Sequence, residues 1–223
     1  MRIGIQLVVA ALSLSTVHSA IAGVVFESLS TNPNGAISNA YSSGGSYLYA
    51  TSTGQEFSLE DEVTLDSITF WGSGQNLAGG QLSNITGYEI IVWNVGFGSI
   101  AAHWTINAAD LTAVATGGQN IYNGNEYALS GSIAGSLAAG TYIMNIGGYQ
   151  ANPNGDAFIW SSGSIDGGWW YTQAPTWGTW IEAPRSINAE PGGAFRLGGT
   201  VVPAPGAIAV LGLAGLGIGR RRR

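Results

Sequence analysis

Short runs of alternating apolar and polar residues recur along the middle of this chain. They cover residues 55–59, 63–71, 88–94, 100–106, 127–129, 142–146, 158–160, 169–171, 177–181 and 195–197. This alternation is typical of β-strands, because successive side chains in a strand project to opposite faces of a sheet. In the run 88–94, Tyr88, Ile90 and Val92 lie on one predicted face and Ile91 and Trp93 on the other, so we expect both faces of that strand to be at least partly covered. The apolar set changes phase between Leu65 and Ile68, which predicts a β-bulge or a bend.

Turn-forming residues separate these runs. Asn-Pro-Asn-Gly occurs at 32–35 and again at 152–155, and Asn123-Gly124 is a further Asn-Gly pair. Each predicts a tight turn, because glycine accepts a positive φ and proline presets a turn φ. No long helix is predicted, although residues 107–112 are compatible with a single helical turn. Many short strands at turn spacing predict an all-β fold, with residues 23–200 forming one β-sandwich domain of jelly-roll type.

The first 22 residues are typical of a secretory signal peptide. Arg2 supplies the positive start, residues 3–14 supply the apolar core, and Ala20-Ile21-Ala22 is a small-residue cleavage site. We therefore expect cleavage between Ala22 and Gly23, and export of the remaining chain.

The last 23 residues, 201–223, are predicted to form a tail that engages a membrane. A proline-rich segment precedes residues 207–219, which are only Ala, Ile, Val, Leu and Gly, and the chain ends in Arg220 to Arg223. As a helix, this apolar segment would be roughly 20 Å long, shorter than a bilayer core of about 30 Å. Arginines favour the cytoplasmic side, so the domain is predicted to lie outside. A short span suits temporary lodging and cleavage; a weak tail anchor and a buried core helix are the alternatives.

This tail resembles the PEP-CTERM sorting signal, which combines a Val-Pro-Glu-Pro motif, a short hydrophobic helix and an arginine-rich end. The motif stands here as Val202-Pro203-Ala204-Pro205, followed by Gly206, so alanine replaces the glutamate. The resemblance implies processing by an exosortase, with the tail in the inner membrane beforehand and the protein afterwards on the bacterial surface or in the extracellular matrix. Residues 55–59, 63–72, 88–93, 137–142 and 194–197 are also similar to motifs of surface proteins in this class, which implies a β-sandwich without an assigned activity.

Charge and cysteine content exclude several classes of function. All seven basic residues are arginines, and only Arg185 and Arg196 lie between the two ends of the chain. All thirteen acids lie there too, which leaves that region a net charge of about −11. Nucleic-acid binding needs a basic face, so we exclude it. Without any cysteine, disulfides, thiol nucleophiles and thiolate metal sites are excluded as well.

The candidate chemistry of the middle region is sparse. His103 is its single histidine, lies in a strand pattern beside Trp104, and has no accompanying G-x-S-x-G motif. We interpret it as a structural histidine, predict no catalytic residue and no cofactor, and find no zinc-ligand set. The densest acidic stretch comprises Glu60, Asp61, Glu62 and Asp66. It is interpreted as a solvated turn, with a calcium site as the alternative, because hard oxygen ligands cluster in this way.

An aromatic cluster is the strongest indication of a ligand. It falls within twelve residues and consists of Trp169, Trp170, Tyr171, Trp177 and Trp180. Flat aromatic rings can stack on sugars, but tryptophans also fill cores. Adjacent strand residues point to opposite faces, which favours partial exposure of the Trp-Trp-Tyr run.

Three functional hypotheses remain. The first is a non-catalytic structural or adhesive protein of the cell surface or matrix, with an exosortase-type enzyme and, through the tail, the membrane as partners. The second is a module that binds carbohydrate, such as an exopolysaccharide, through the aromatic cluster. The third, a glycoside hydrolase or lyase, requires two carboxylates facing each other across a cleft.

Overall fold

The computed structural model describes residues 23–37, 39–43, 46–74, 82–95, 99–121, 123–151, 157–164, 169–174, 185–187 and 192–203. Only the backbone is described for 35–37, 39–43, 46–53, 169–174 and 185–187. The strands are β1 Gly23–Ser28, β2 Ser30–Ile37, β3 Asn39–Ser43, β4 Ser46–Leu59, β5 Val63–Gly74, β6 Ile85–Asn94, β7 Ile100–Asn107, β8 Thr112–Gln119, β9 Asn125–Leu137, β10 Gly140–Gln150, β11 Phe158–Gly163, β12 Trp169–Ala174, β13 Arg185–Ile187 and β14 Phe195–Val201. Two 3₁₀ turns, Leu82–Asn84 and Ala108–Asp110, complete the described elements. The fold is therefore all-β.

The described strands form two seven-stranded sheets. The first has the order β1-β14-β5-β11-β2, with β9 also paired to β5 and β8 paired to β9, and all its pairs are antiparallel. The second has the order β13-β12-β4-β3-β10-β6-β7, with β4 also paired to β10. Its pairs are antiparallel except for β3 and β10, which run parallel.

The two sheets share one hydrophobic core. Phe70 of the first sheet meets Tyr88 of the second with their ring centroids 4.9 Å apart. Phe195 meets Phe57 across the same interface at 5.4 Å. Such edge-to-face aromatic pairs are favourable beyond the apolar area that they bury. The arrangement is compatible with a β-sandwich.

Strand β6 confirms the prediction that both of its faces are covered. Every residue from Gly87 to Trp93 is buried. One face contributes Ile90 to the main core. The other face carries Ile91 and Trp93, which form a second small cluster with Ile143 of β10. A polar residue on that second face therefore lies in an apolar setting.

The bulge predicted after Leu65 is also confirmed. The pairing of β5 with β14 shifts register at this point, because Ser67 and Leu65 stand opposite the adjacent Gly198 and Gly199, so that Asp66 is the extra residue. The helical turn predicted within 107–112 is present as the 3₁₀ turn Ala108–Asp110. Asn123 has a φ of 59° between β8 and β9, which confirms the turn expected at Asn123-Gly124.

The turn predicted at residues 32–35 is wrong. Strand β2 runs through these residues, and its pairing with β11 shifts register there, from Ala36 opposite Trp160 to Asn32 opposite Ser162. The Asn32 side chain accepts a hydrogen bond from the Asn34 amide at 2.9 Å. The Asn-Pro-Asn-Gly sequence thus produces an irregularity inside a strand. The Asn34-to-Asn32 hydrogen bond bends the backbone locally, but the residues on both sides of it still pair with β11. The second copy, at 152–155, lies outside the described residues.

Candidate functional site

A carboxylate buried on the outer face of the second sheet anchors the most distinctive polar cluster of the described residues. Glu89 lies on β6 between core-facing residues, so it shares the second face with Ile91 and Trp93, and it is only 4% exposed. His103 Nε2 lies 2.6 Å from Glu89 Oε1. The Tyr149 hydroxyl donates to Glu89 Oε2 at 2.8 Å. Both carboxylate oxygens are therefore hydrogen-bonded within the fold.

The sheet register explains why these three side chains meet. His103 of β7 stands opposite Ile91, one diagonal step from Glu89. Tyr149 of β10 stands opposite Gly87, one diagonal step in the other direction. Diagonal neighbours on one sheet face are within reach of long and aromatic side chains. The cluster therefore follows from the alternation of three adjacent strands.

Burial dominates the electrostatics of this cluster. Desolvation raises the pKa of the Glu89 carboxyl above its ordinary value, because an ionised carboxylate loses water when buried. The Tyr149 hydrogen bond lowers the pKa, as do the charge and the hydrogen bond of His103, but burial prevails. The side chain of His103 is 46% exposed, so the buried carboxylate connects to solvent through a titratable ring.

The cluster contains only part of a nucleophilic site. A Glu-His pair can orient an imidazole as a general base, but a hydrolase of this type also needs a hydroxyl on the other ring nitrogen. Within the described residues, His103 hydrogen-bonds to Glu89 alone. The geometry therefore supports the structural interpretation of this histidine, whose ring caps a buried carboxylate. The signal in the sequence was Glu89 itself, a lone acid in an otherwise apolar strand, which sequence reasoning did not single out.

A polar groove crosses the outer face of the first sheet. It encloses about 340 Å³ and includes Asp66, Ser67 and Arg196 in its lining. Arg196 forms an ion pair with Glu27 and lies 5.8 Å from the centroid of the Trp71 ring. The guanidinium therefore interacts with both a carboxylate and an aromatic face of the protein itself.

The acidic stretch is distributed over two places. Residues Glu60, Asp61 and Glu62 are exposed in the turn between β4 and β5, as the solvated-turn interpretation expects. Asp66 lies on the β5 bulge and accepts a hydrogen bond from the Ser67 hydroxyl at 2.6 Å. Among the residues that the structure describes, no three His, Cys, Asp or Glu side chains come together in a group that could hold a metal ion. The four acids of the calcium alternative are accordingly not assembled into one site.

The aromatic cluster is described only in part. Residues Trp169, Trp170 and Tyr171 form the start of β12, where they pair with Gln55, Gly54 and Thr53 of β4 and with β13. Trp177 and Trp180 lie outside the described residues. Trp169, Trp170 and Tyr171 are therefore located by their backbone, within the second sheet and one strand from its β13 edge.

The predicted signal peptide and the predicted tail border the described residues. Gly23, the residue expected to follow signal cleavage, begins β1, while Ala20 and Ala22 lie outside the described residues. Val202 and Pro203 follow β14 directly and are exposed. The rest of the tail is outside the described residues, including Ala204, Pro205, Gly206 and Arg220, Arg221, Arg222 and Arg223. In the part of the chain that is described, we find no helix with the length and apolar character needed to cross a membrane.

No protein-family model matches the chain, and no curated protein sequence matches it.

Proposed function

We propose that this is an exported, non-catalytic protein of the bacterial cell surface or extracellular matrix, delivered there through its C-terminal tail. The domain would be a β-sandwich of jelly-roll type that serves a structural or adhesive role. An exosortase-type enzyme would process the tail while its apolar segment, residues 207–219, lodges in the inner membrane. The proposal has two supports, which are the resemblance of the tail to the PEP-CTERM signal and the arrangement of the described strands.

One observation carries the proposal. Gly23, the residue expected to follow signal cleavage, lies in β1, and Val201, the first residue of the predicted tail, ends β14. These strands are antiparallel neighbours, with Gly23 opposite Gly199. The expected signal-peptide junction and the start of the tail therefore lie side by side at one end of the domain. Cleavage after Ala22 and beyond Val201 would leave every described strand pairing intact.

The polar chemistry of the described residues supports a non-catalytic role. The buried Glu89 carboxylate has both oxygens bonded within the fold, by Tyr149 and His103. The Arg196 guanidinium is likewise paired with Glu27. Groups that are satisfied by one another contribute to a stable sheet surface, whereas a reacting group must be available to substrate.

We expect the tail to determine where the protein resides. The complete chain and a form ending at Pro203 should be expressed in a bacterium that encodes an exosortase, followed by fractionation and intact-mass analysis. The complete chain should reach the surface or matrix, without residues 1–22 and with a shortened tail. The form ending at Pro203 should be exported but released. Equal distribution of the two forms would contradict sorting through the tail.

Carbohydrate binding is the alternative function. It is supported by the position of Trp169, Trp170 and Tyr171 in a strand, because neighbouring side chains of a strand point to opposite faces of the sheet. Saturable retention on an exopolysaccharide, reduced at least ten-fold in Trp169→Ala and Trp170→Ala, is the expected result of this alternative. Trp104→Ala is the matched control. Absence of binding across a polysaccharide panel would exclude the module and leave the structural role.

A further inference from the structure

A second groove lies at the end of the domain from which the tail departs. It encloses about 330 Å³, and we call it the basal groove. Its apolar lining comes from both sheets and consists of Val25, Leu59, Val63 and Val201. Its polar lining includes Glu60 and Asp61 of the exposed turn between β4 and β5. The groove therefore combines an apolar floor with an acidic rim.

The tail begins on the wall of this groove. Val201, the last residue of β14, lines it, and the next amide, that of Val202, donates to the Glu62 carbonyl at 2.8 Å. This bond ties the first residue of the proline motif to the acidic turn. The side chains of Val201 and Val202 are 49% and 37% exposed. A protein that binds the tail at Val202 and Pro203 is therefore next to the basal groove.

No basic side chain among the described residues pairs with the acidic rim. Within the described residues Glu60, Asp61 and Glu62 form no ion pair, and Arg196 is engaged by Glu27 instead. An uncompensated acidic rim around an apolar floor is complementary to a cationic side chain flanked by apolar groups. An acidic rim is repelled by an anionic lipid surface, because such a surface attracts basic segments. It also opposes a second copy of this acidic domain.

We propose that the basal groove is a docking surface for the membrane protein that processes the tail, which would place an apolar side chain on the floor and a lysine or arginine against the rim. This inference rests on the proposed function and extends it by assigning the folded domain a part in recognition. A groove of this size holds only one or two side chains, so its affinity alone would be weak. Because the tail is bound at the same time, the groove contact is effectively intramolecular, and a weak contact then suffices.

Neutralising the rim tests this inference. The complete chain and its E60Q/D61N variant should be expressed with the processing enzyme, and the rate of tail removal followed by pulse-chase and intact mass. We expect removal to slow by roughly three- to ten-fold, because the attraction between one basic side chain and two exposed acids is lost. D61N should slow it partially, whereas D110N, the same change at an exposed acid outside the groove, should not. Denaturant unfolding of each variant verifies that the turn still folds.

The outcomes separate this inference from the function on which it rests. If the wild-type tail is never removed, the proposed function fails and the docking surface with it. If the wild-type tail is removed and the neutral-rim variant is processed at the same rate, only the docking surface is overturned. The same holds if the variant is processed faster and binds vesicles of anionic phospholipid more tightly, since the rim would then face lipid.

Discussion

Replacing Trp160 by alanine is expected to cost about 3–5 kcal/mol of unfolding free energy, the range for truncating a buried aromatic side chain. Trp160 is fully buried on β11, and its ring lies 6.2 Å from that of Phe195. Its indole N–H donates to the Ala194 carbonyl at 2.9 Å, so the substitution removes a hydrogen-bond donor as well as packing. A domain of this kind has a total stability of roughly 5–15 kcal/mol, so the variant approaches unfolding.

Urea unfolding followed by far-ultraviolet circular dichroism measures this loss without relying on tryptophan emission. Trp104→Ala is the matched control, because Trp104 also donates its indole N–H to a carbonyl, that of Ala134 at 2.9 Å, but is only partly buried. Trp160→Phe retains most of the packing and should cost only about 0.5–1.5 kcal/mol for the lost hydrogen bond, because the Ala194 carbonyl still accepts from the Trp71 amide at 3.2 Å. A Trp160→Ala variant no less stable than Trp104→Ala would contradict the placement of Trp160 in the core.

Nine of the fourteen described strands were predicted, because one-sided or two-sided burial leaves a period of two in the sequence. Strands β1, β2, β3, β8 and β13 were not predicted. Strand β6 shows this clearly, since the apolar residues on both of its predicted faces are buried. Strand β8 was missed for the same physical reason. Its residues from Thr112 to Gly117 are all exposed, so no core-facing set marks its alternation. A strand held mainly by backbone pairing with β9 has no amphipathic pattern to detect.

The polar contacts depend on register, which a single sequence does not contain. Glu89 could be recognised as a lone acid, but its partners lie 14 and 60 residues away in the chain. They become neighbours only when β7 and β10 flank β6 in one particular alignment. A slip of one residue in either strand would move His103 or Tyr149 to the other face. The basal groove was beyond prediction too, because it requires β1, β5 and β14 to converge beside the acidic turn.

The alignment of β6, β7 and β10 that buries Glu89 also predicts that the stability of the domain depends on pH. The pKa of Glu89 is raised in the folded state, so folding favours the protonated carboxyl. The contribution of this group to stability is therefore fully present below the ordinary carboxyl pKa of 4.5 and is lost as the pH rises through the higher folded value. One proton taken up on folding gives a slope of at most about 1.4 kcal/mol per pH unit.

Glu89→Gln isolates this contribution, because glutamine fills the same space and can bond both partners. Its carbonyl oxygen can accept from Tyr149 while its amide donates to the His103 ring. We expect the wild-type minus Glu89→Gln difference in unfolding free energy to fall as the pH rises above about 4.5. Measured by urea unfolding between pH 4 and 8, Glu60→Gln at an exposed position should show no such trend. A difference that rises with pH would mean that the charge of His103, rather than burial, controls the Glu89 carboxyl.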